Sequence, residues 1–156
     1  MNCTPTTRQS QLEAVLATIA LPQGISVRIW TEDDFPAVQR LSSAEGWPTP
    51  QNRPAEALAA WQHSWPTLVV TEGESVIGFL RALTDENVTT FVAELLVVPH
   101  RRGKGLGRML LDICHALCPQ TRLDLISTEN ASSFYKVYGC RYVGEGFRKS
   151  YRFRSN

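Results

Sequence analysis

The stretch VVPHRRGKGLGR, residues 97–108, joins the end of an apolar run to three closely spaced glycines and a cluster of cationic side chains. Glycine permits a tight turn and lets a ligand approach the main chain closely. Apolar residues recur at helical spacing directly after the glycines, and they are Leu106, Met109, Leu110, Ile113 and Leu117. The stretch therefore predicts a strand, a glycine loop and an amphipathic helix in direct succession.

Such a loop is suited to an anion. The first turn of a helix offers unpaired N–H groups and the positive end of the helix dipole. Arg101, Arg102, Lys104 and Arg108 add positive charge at the same place. We therefore predict a diphosphate ligand, while a glycine-containing turn with basic surface residues is the purely structural alternative.

Two familiar phosphate-binding loops do not match this one. A Walker loop needs a Lys-Ser/Thr pair after its second glycine, whereas here Lys104 is followed by Gly105. A dinucleotide fingerprint has the spacing G-x-G-x-x-G near the start of a longer domain, whereas this loop has G-x-G-x-G. The predicted diphosphate is therefore not expected to be part of a nucleotide bound by a Walker loop or of a dinucleotide bound by a G-x-G-x-x-G loop.

The remaining pattern predicts an α/β fold. A polar start without regular structure, residues 1–9, precedes a short helix over 11–19. Strands are predicted at 25–29, 67–71, 75–83, 89–98, 122–127, 142–144 and 148–154. Helices are predicted after the Thr31 cap, at 54–62, after Leu106 and at 132–138, where Gly139 ends the helix. Strand 89–98 is expected to be central and apolar on both faces, and strand 122–127 to be buried.

This order gives a mixed, mostly antiparallel sheet flanked by helices on both faces. The three consecutive strands in the middle favour antiparallel pairing, and the strand–helix–strand unit around residues 90–127 favours a parallel crossover. The length of 156 residues fits a single domain. We assign residues 1–24 to an N-terminal extension and residues 25–156 to the domain itself.

Composition sets limits on function. The net charge of +1 gives no general argument for binding nucleic acid or a membrane. Cys114, His115 and Cys118 lie close in sequence, but no second cluster completes a metal site, so we expect buried thiols and no metal. Reduced thiols and short apolar runs favour a cytoplasmic protein.

Two motifs resemble a known family. The segment from Arg102 to Gly107 resembles the R/Q-x-x-G-x-G/A signature of the GCN5-related N-acetyltransferases, the GNAT family. The segment FYKVYGC, residues 134–140, resembles that family's F-Y-x-x-x-G-F segment, with Cys140 in place of the last phenylalanine. The order of elements over residues 25–153 is also similar.

The resemblance implies an acetyl-CoA-dependent N-acetyltransferase. Main-chain groups of Leu96, Val97 and Val98 would bind the pantetheine arm, and Asn130 would contact it, although it stands closer to the tyrosine than the family's usual asparagine. The pyrophosphate would be bound by the loop residues Arg102, Gly103, Lys104, Gly105, Leu106, Gly107 and Arg108. A non-catalytic acyl-CoA-binding domain is the alternative.

Glu94 and Tyr135 are the candidate acid–base residues. Strand alternation places Glu94 on one face with Val92, Leu96 and Val98, and an apolar setting favours a carboxyl that acts as a general base. An ion pair with an arginine is the alternative. Tyr135 matches the family's tyrosine four residues before the glycine, and its phenol is suited to protonate a leaving thiolate.

The acceptor is expected to be a primary amine of a small molecule or peptide. Its site would lie near Trp47, Pro48, Asn52 and Arg53 and near the alternating residues Arg148, Ser150, Arg152 and Arg154. We expect Trp61 and Trp65 to be core residues. The three histidines, His63, His100 and His115, are expected to lie at the surface. An edge strand at the C-terminus could pair two subunits in a homodimer.

Overall fold

The computed structural model describes residues 5–151. Its helices are α1 (Pro5–Leu16), α2 (Phe35–Ala44), α3 (Thr49–Asn52), α4 (Pro54–Gln62), α5 (Leu106–Leu117) and α6 (Ser132–Tyr138). Its strands are β1 (Ile25–Ile29), β2 (Thr67–Glu72), β3 (Ser75–Thr84), β4 (Thr89–Val97) and β5 (Arg122–Leu125). Residue contacts divide the chain into a first unit, residues 1–125, and a second unit, residues 126–156.

All five strands form one sheet in the order β1-β2-β3-β4-β5. The pairs β1–β2, β2–β3 and β3–β4 are antiparallel, and β4 and β5 are parallel. Helix α5 supplies the crossover connection that parallel neighbours require. The predicted mixed, mostly antiparallel sheet is therefore confirmed.

Helices cover both faces of this sheet. On one face, Val69 and Phe79 belong to a buried cluster with Val38 of α2 and Trp61 of α4. On the other face, α5 contacts β3 and β4, and α1 packs against α5. Trp61 and Trp65 are only 2% and 6% exposed, which confirms them as core residues.

The start of α2 is tied to β1 by one carboxylate. Asp34 accepts a hydrogen bond from the main-chain N–H of Thr31 at 2.9 Å, and it forms an ion pair with Arg28 at 2.6 Å. Burial alone would raise the pKa of Asp34, but these hydrogen bonds outweigh it and hold the pKa below its usual range. The predicted cap at Thr31 is confirmed.

Several predicted elements differ from the structure. Helix α1 begins at Pro5, a residue well suited to a first helical turn, and ends at Leu16. The short helix α3 was not predicted. The middle of the sheet is β3, and β4 is only alternately buried. Strand β5 is half-exposed because it lies at the edge of the sheet.

The two predicted C-terminal strands are absent from the described residues. Neither 142–144 nor 148–151 has regular structure, and positions 152–154 lie outside the described range. Tyr142 and Tyr151, which lie within the predicted strands, are 74% and 60% exposed. An alternating pattern forms a strand only where a neighbouring strand supplies hydrogen bonds and a surface to cover.

Over its described residues, 126–151, the second unit contains one helix, α6, after a single 3-10 turn at Glu129–Ala131. Gly139 follows α6 with a φ of 111°, in the left-handed region, and its N–H donates to the Tyr135 carbonyl at 3.1 Å. This is the predicted glycine helix end. Within the described part of the chain, no helix has the length and apolar character needed to cross a bilayer.

Candidate cofactor and catalytic site

The loop between β4 and α5 depends on two glycines. After a 3-10 turn at Pro99–Arg101, Gly103 has a φ of 73° and Gly105 a φ of 82°. A β-carbon built at Gly105 would meet no atom within 4 Å. The left-handed backbone, not crowding inside the protein, is therefore what requires glycine at these positions.

The main chain of this loop has free hydrogen-bond donors. Among residues 5–151, no acceptor is found for the N–H groups of residues 103–107, and the first loop–helix bond runs from the Met109 N–H to the Gly105 carbonyl at 2.9 Å. These donors lie at the N-terminus of α5, where the helix dipole favours an anion. The loop therefore fits a phosphate group, as its sequence predicts.

The cationic side chains of the loop are partly occupied. Arg101 forms an ion pair with Glu72, and Arg102 forms one with Glu45 at 2.6 Å. Lys104 is exposed and makes no ion pair within the described residues. Arg101 and Arg102 are thus balanced by carboxylates, so the main-chain donors and Lys104 are the groups of the loop best placed to bind an anion.

The end of β4 has an open main-chain edge. The ladder with β5 covers only Thr89–Val92 of β4. The Val98 N–H donates to Ile77 of β3 at 2.9 Å. Because strand residues alternate, Val97 turns its main-chain groups away from β3, and its carbonyl accepts a hydrogen bond from Arg102 Nε at 2.7 Å.

This geometry reduces the predicted main-chain contacts of the pantetheine arm from three residues to one. Leu96 and Val98 direct their main-chain groups to β3, so they are already engaged within the sheet. Of the three predicted residues, Val97 is the one at which an added chain could bond in the manner of a strand. Its carbonyl oxygen already accepts from Arg102 Nε, and a carbonyl oxygen has the capacity for a second hydrogen bond.

Glu94 and Val92 lie on opposite faces of the sheet, although simple alternation along β4 predicts that they share a face. Glu94 is opposite Arg81, and Val92 is opposite Ala82, so that Ala93 is an extra residue in β4. Arg81 and Ala82 are consecutive and point to opposite faces of the sheet. The expectation that Glu94 and Val92 share a face is therefore wrong, whereas Glu94 and Leu96 do share one.

The Glu94 carboxylate is paired with an arginine. Arg81 Nε donates to Glu94 Oε2 at 2.8 Å, and Arg81 Nη1 donates to Ser64 Oγ at 3.0 Å. The ion pair was the alternative that the sequence left open. Sequence reasoning missed Arg81, although it is the only charged residue within the predicted strand 75–83 and so gave a usable signal.

Tyr135 and Asn130 belong to the second unit. Tyr135 lies in α6, where its ring contacts Phe134 edge to face with centroids 5.0 Å apart. Burial, with a smaller contribution from Cys140, raises the pKa of the Tyr135 phenol. Asn130 lies exposed in the 3-10 turn before α6.

The cysteines and histidines have structural or surface positions. Cys114 and Cys118 are buried, as predicted, and burial raises the pKa of Cys114 to about 12. The rings of His63, His100 and His115 are exposed. Cys3 lies outside the described residues, within which no group of three or more metal-ligating side chains is found.

Comparisons with known proteins agree with this architecture. Residues 63–139 match the model of the acetyltransferase (GNAT) domain. A Deinococcus radiodurans R1 protein assigned as an acetyltransferase superposes with a TM-score of 0.67 at 24% identity, over 84% of this chain and 92% of that one. No curated protein sequence matches the chain.

Two further solved structures have the same fold. Ard1 from Thermoplasma volcanium superposes with a TM-score of 0.61 at 26% identity, over 74% of this chain and 82% of that one. Arabidopsis thaliana Naa50, in complex with the bisubstrate analogue CoA-Ac-MVNAL, gives 0.59 at 19% identity, with the same coverages of 74% and 82%. Residues 63–139 thus match a GNAT acetyltransferase domain, and the described fold, including the glycine loop between β4 and α5, agrees with that match.

Proposed function

We propose that this protein is an acetyl-CoA-dependent N-acetyltransferase that acetylates a primary amine of a small molecule or peptide. The observation that carries the proposal is the run of main-chain N–H groups at residues 103–107, at the N-terminus of α5, for which residues 5–151 supply no acceptor. The pyrophosphate of coenzyme A matches these donors in charge and in hydrogen-bonding capacity. Naa50, a protein of the same fold, is described in complex with an analogue that contains CoA.

The cosubstrate would be held by the glycine loop and by the open edge of β4. Gly103 and Gly105 keep the loop in the backbone conformation that exposes its N–H groups, and Val97 offers main-chain groups to the pantetheine arm. Lys104 supplies a cation without an ion-pair partner in the described chain. Asn130 remains a proposed contact on the resemblance alone.

The reaction would be a direct attack within a ternary complex. The amine nitrogen bonds to the thioester carbonyl carbon, the carbon–sulfur bond breaks, and coenzyme A leaves as a thiolate that takes up a proton. A lysine-like amine is almost wholly protonated at neutral pH, and its deprotonation costs about 4–5 kcal/mol. Glu94 is the proposed base that accepts this proton, directly or through water.

Tyr135 is the proposed acid that protonates the thiolate. Because its pKa is raised, the phenol keeps its proton throughout the neutral range, as an acid must. We further propose that the protein acts in the cytoplasm on a freely diffusing amine, without nucleic acid or membrane, and that a homodimer is compatible with this activity.

The test combines binding and turnover. Calorimetry should show that acetyl-CoA binds the full chain, and mass spectrometry across a panel of small amines and peptides should show an acetylated product with equal release of thiol. Failure of both CoA and acetyl-CoA to bind would overturn the enzymatic assignment. Binding without transfer to any amine would instead favour the non-catalytic acyl-CoA-binding alternative.

A further inference from the structure

We infer that Arg81 is a positioning residue for acetyl transfer, which anchors one oxygen of Glu94 and leaves the other available to a cationic amine acceptor. The inference rests on the proposed function, because it assigns a partner to the proposed base. It concerns a residue of β3 that belongs neither to the glycine loop nor to the two sequence motifs.

The pair exists because of the extra residue in β4. Without the bulge, the register set by Ala82 and Val92 would place Ala93, not Glu94, opposite Arg81. A bulge of this kind turns the following side chains to the other face. The bulge therefore places a carboxylate beside the only charged side chain of β3, on the face that Phe79 and Leu96 also share.

The pair is shielded, and its cation is fixed from a second side. The side chains of Arg81 and Glu94 are only 16% and 22% exposed. Ser64, just after α4, is buried and accepts from Arg81 Nη1 at 3.0 Å while its own hydroxyl donates to the Ala60 carbonyl at 2.6 Å. A chain of contacts thus runs from α4 through Ser64 and Arg81 to Glu94, which restricts the orientation of the carboxylate.

The carboxylate is occupied on one side only. Arg81 bonds to Oε2, and within residues 5–151 Oε1 accepts no hydrogen bond. A carboxylate has acceptor capacity on both oxygens, so Oε1 can receive an N–H from an acceptor or from a bridging water. Because an amine arrives mainly as an ammonium ion, a fixed carboxylate would both attract it and accept its proton.

The matched acceptor is therefore a primary ammonium group. Arg81 neutralises the pair overall, so attraction depends on the local placement of Oε1 and not on a net negative patch. This predicts that neutral or N-alkylated analogues of a good acceptor are poor substrates. It also predicts that orientation of Glu94 affects turnover more than it affects cosubstrate binding.

The experiment compares Arg81→Met, Arg81→Lys and Ser64→Ala with wild type, using the best amine found in the substrate panel. Arg81→Met should lower kcat about 10- to 100-fold and leave acetyl-CoA affinity within about twofold. Turnover falls because the Glu94 carboxylate loses the contact that fixes its orientation. Arg81→Lys should recover part of the rate.

Arg28→Met is the matched control, because it breaks another partly buried ion pair, at 2.6 Å to Asp34. It should lower stability and leave kcat within about twofold. Ser64→Ala, which keeps both charges, should lower kcat about two- to fivefold and serves if Arg81→Met does not fold. Unchanged kcat in the Arg81 and Ser64 variants, or an equal fall in kcat for Arg28→Met and Arg81→Met, would overturn the inference. A wild-type protein that transfers no acetyl group would instead overturn the proposed function itself.

Discussion

At the residue scale, Gly105 combines a backbone angle that favours glycine with a position at the start of α5. Alanine in this left-handed conformation costs about 1–2 kcal/mol, so the variant loop would relax away from it. Since cosubstrate binding must then restore the conformation, Gly105→Ala should weaken acetyl-CoA binding about 10-fold, as measured by calorimetry.

Gly24 provides the control for this change. It has a φ of 77° and also meets no atom within 4 Å of a built β-carbon, but it precedes β1 instead of α5. Gly24→Ala should lower stability by a similar amount and leave the dissociation constant unchanged. Equal affinity of the wild type and Gly105→Ala would contradict the role of the loop backbone.

Tyr135 allows a second test at this scale. Tyr135→Phe removes the proposed proton donor, so kcat should fall about 10- to 100-fold with little change in acetyl-CoA affinity. Because burial raises the pKa of Tyr135, its ionisation should not lower the wild-type rate until the pH exceeds about 10. Tyr138→Phe, one helical turn away, should retain activity, and an unchanged rate in Tyr135→Phe with chemistry limiting would remove the acid role.

At the element scale, β3 and β4 approach each other closely at Gly78. A β-carbon there would lie 2.6 Å from the Leu96 carbonyl oxygen, so the two strands would have to shift apart. Gly78→Ala should destabilise the protein by about 1–3 kcal/mol. Urea unfolding measures this, and a variant as stable as wild type would show that the strands tolerate the shift.

Local patterns predicted most of the elements. Helices α2, α4, α5 and α6 follow from caps, prolines and apolar spacing that lie within each segment, and Gly139 ends α6 as expected. The bulge at Ala93 could not be predicted in this way, because it is a property of two strands in register. Glu94 was therefore identified as a candidate, while its face relative to Val92 was wrong and its partner Arg81 was missed.

The prediction of two C-terminal strands was wrong for a related reason. Its alternation of aromatic and basic residues is present in the sequence, but alternation alone supplies no partner strand. The glycine loop, in contrast, carries its requirements in consecutive residues, so its geometry was predictable. Roles for Glu94, Tyr135 and Asn130 come from motif and chemistry, and they remain predictions.

At the scale of the whole molecule, the Arg28–Asp34 pair makes stability depend on pH. The lowered pKa of Asp34 means that its contribution is complete above the unfolded value near 3.9 and is lost as the pH falls through the folded value. Asp34→Asn should therefore cost about 2 kcal/mol at pH 7 and much less near pH 3.

Denaturant unfolding at the two pH values checks this prediction. Asp124→Asn is the control, since Asp124 is 37% exposed and pairs with an arginine that is 66% exposed. That variant should change stability by less than about 0.5 kcal/mol. A deficit for Asp34→Asn that is the same at both pH values would mean that the charge of Asp34 is not what stabilises the fold.

The extra residue at position 93 divides β4 into two halves with opposite phase. The even-numbered side chains before it, Thr90 and Val92, lie on the face opposite to Phe79, whereas the even-numbered side chains after it, Glu94 and Leu96, lie on the same face as Phe79. One strand thus presents even-numbered side chains to both faces of the sheet. A substitution at Val92 and a substitution at Glu94 therefore affect different faces.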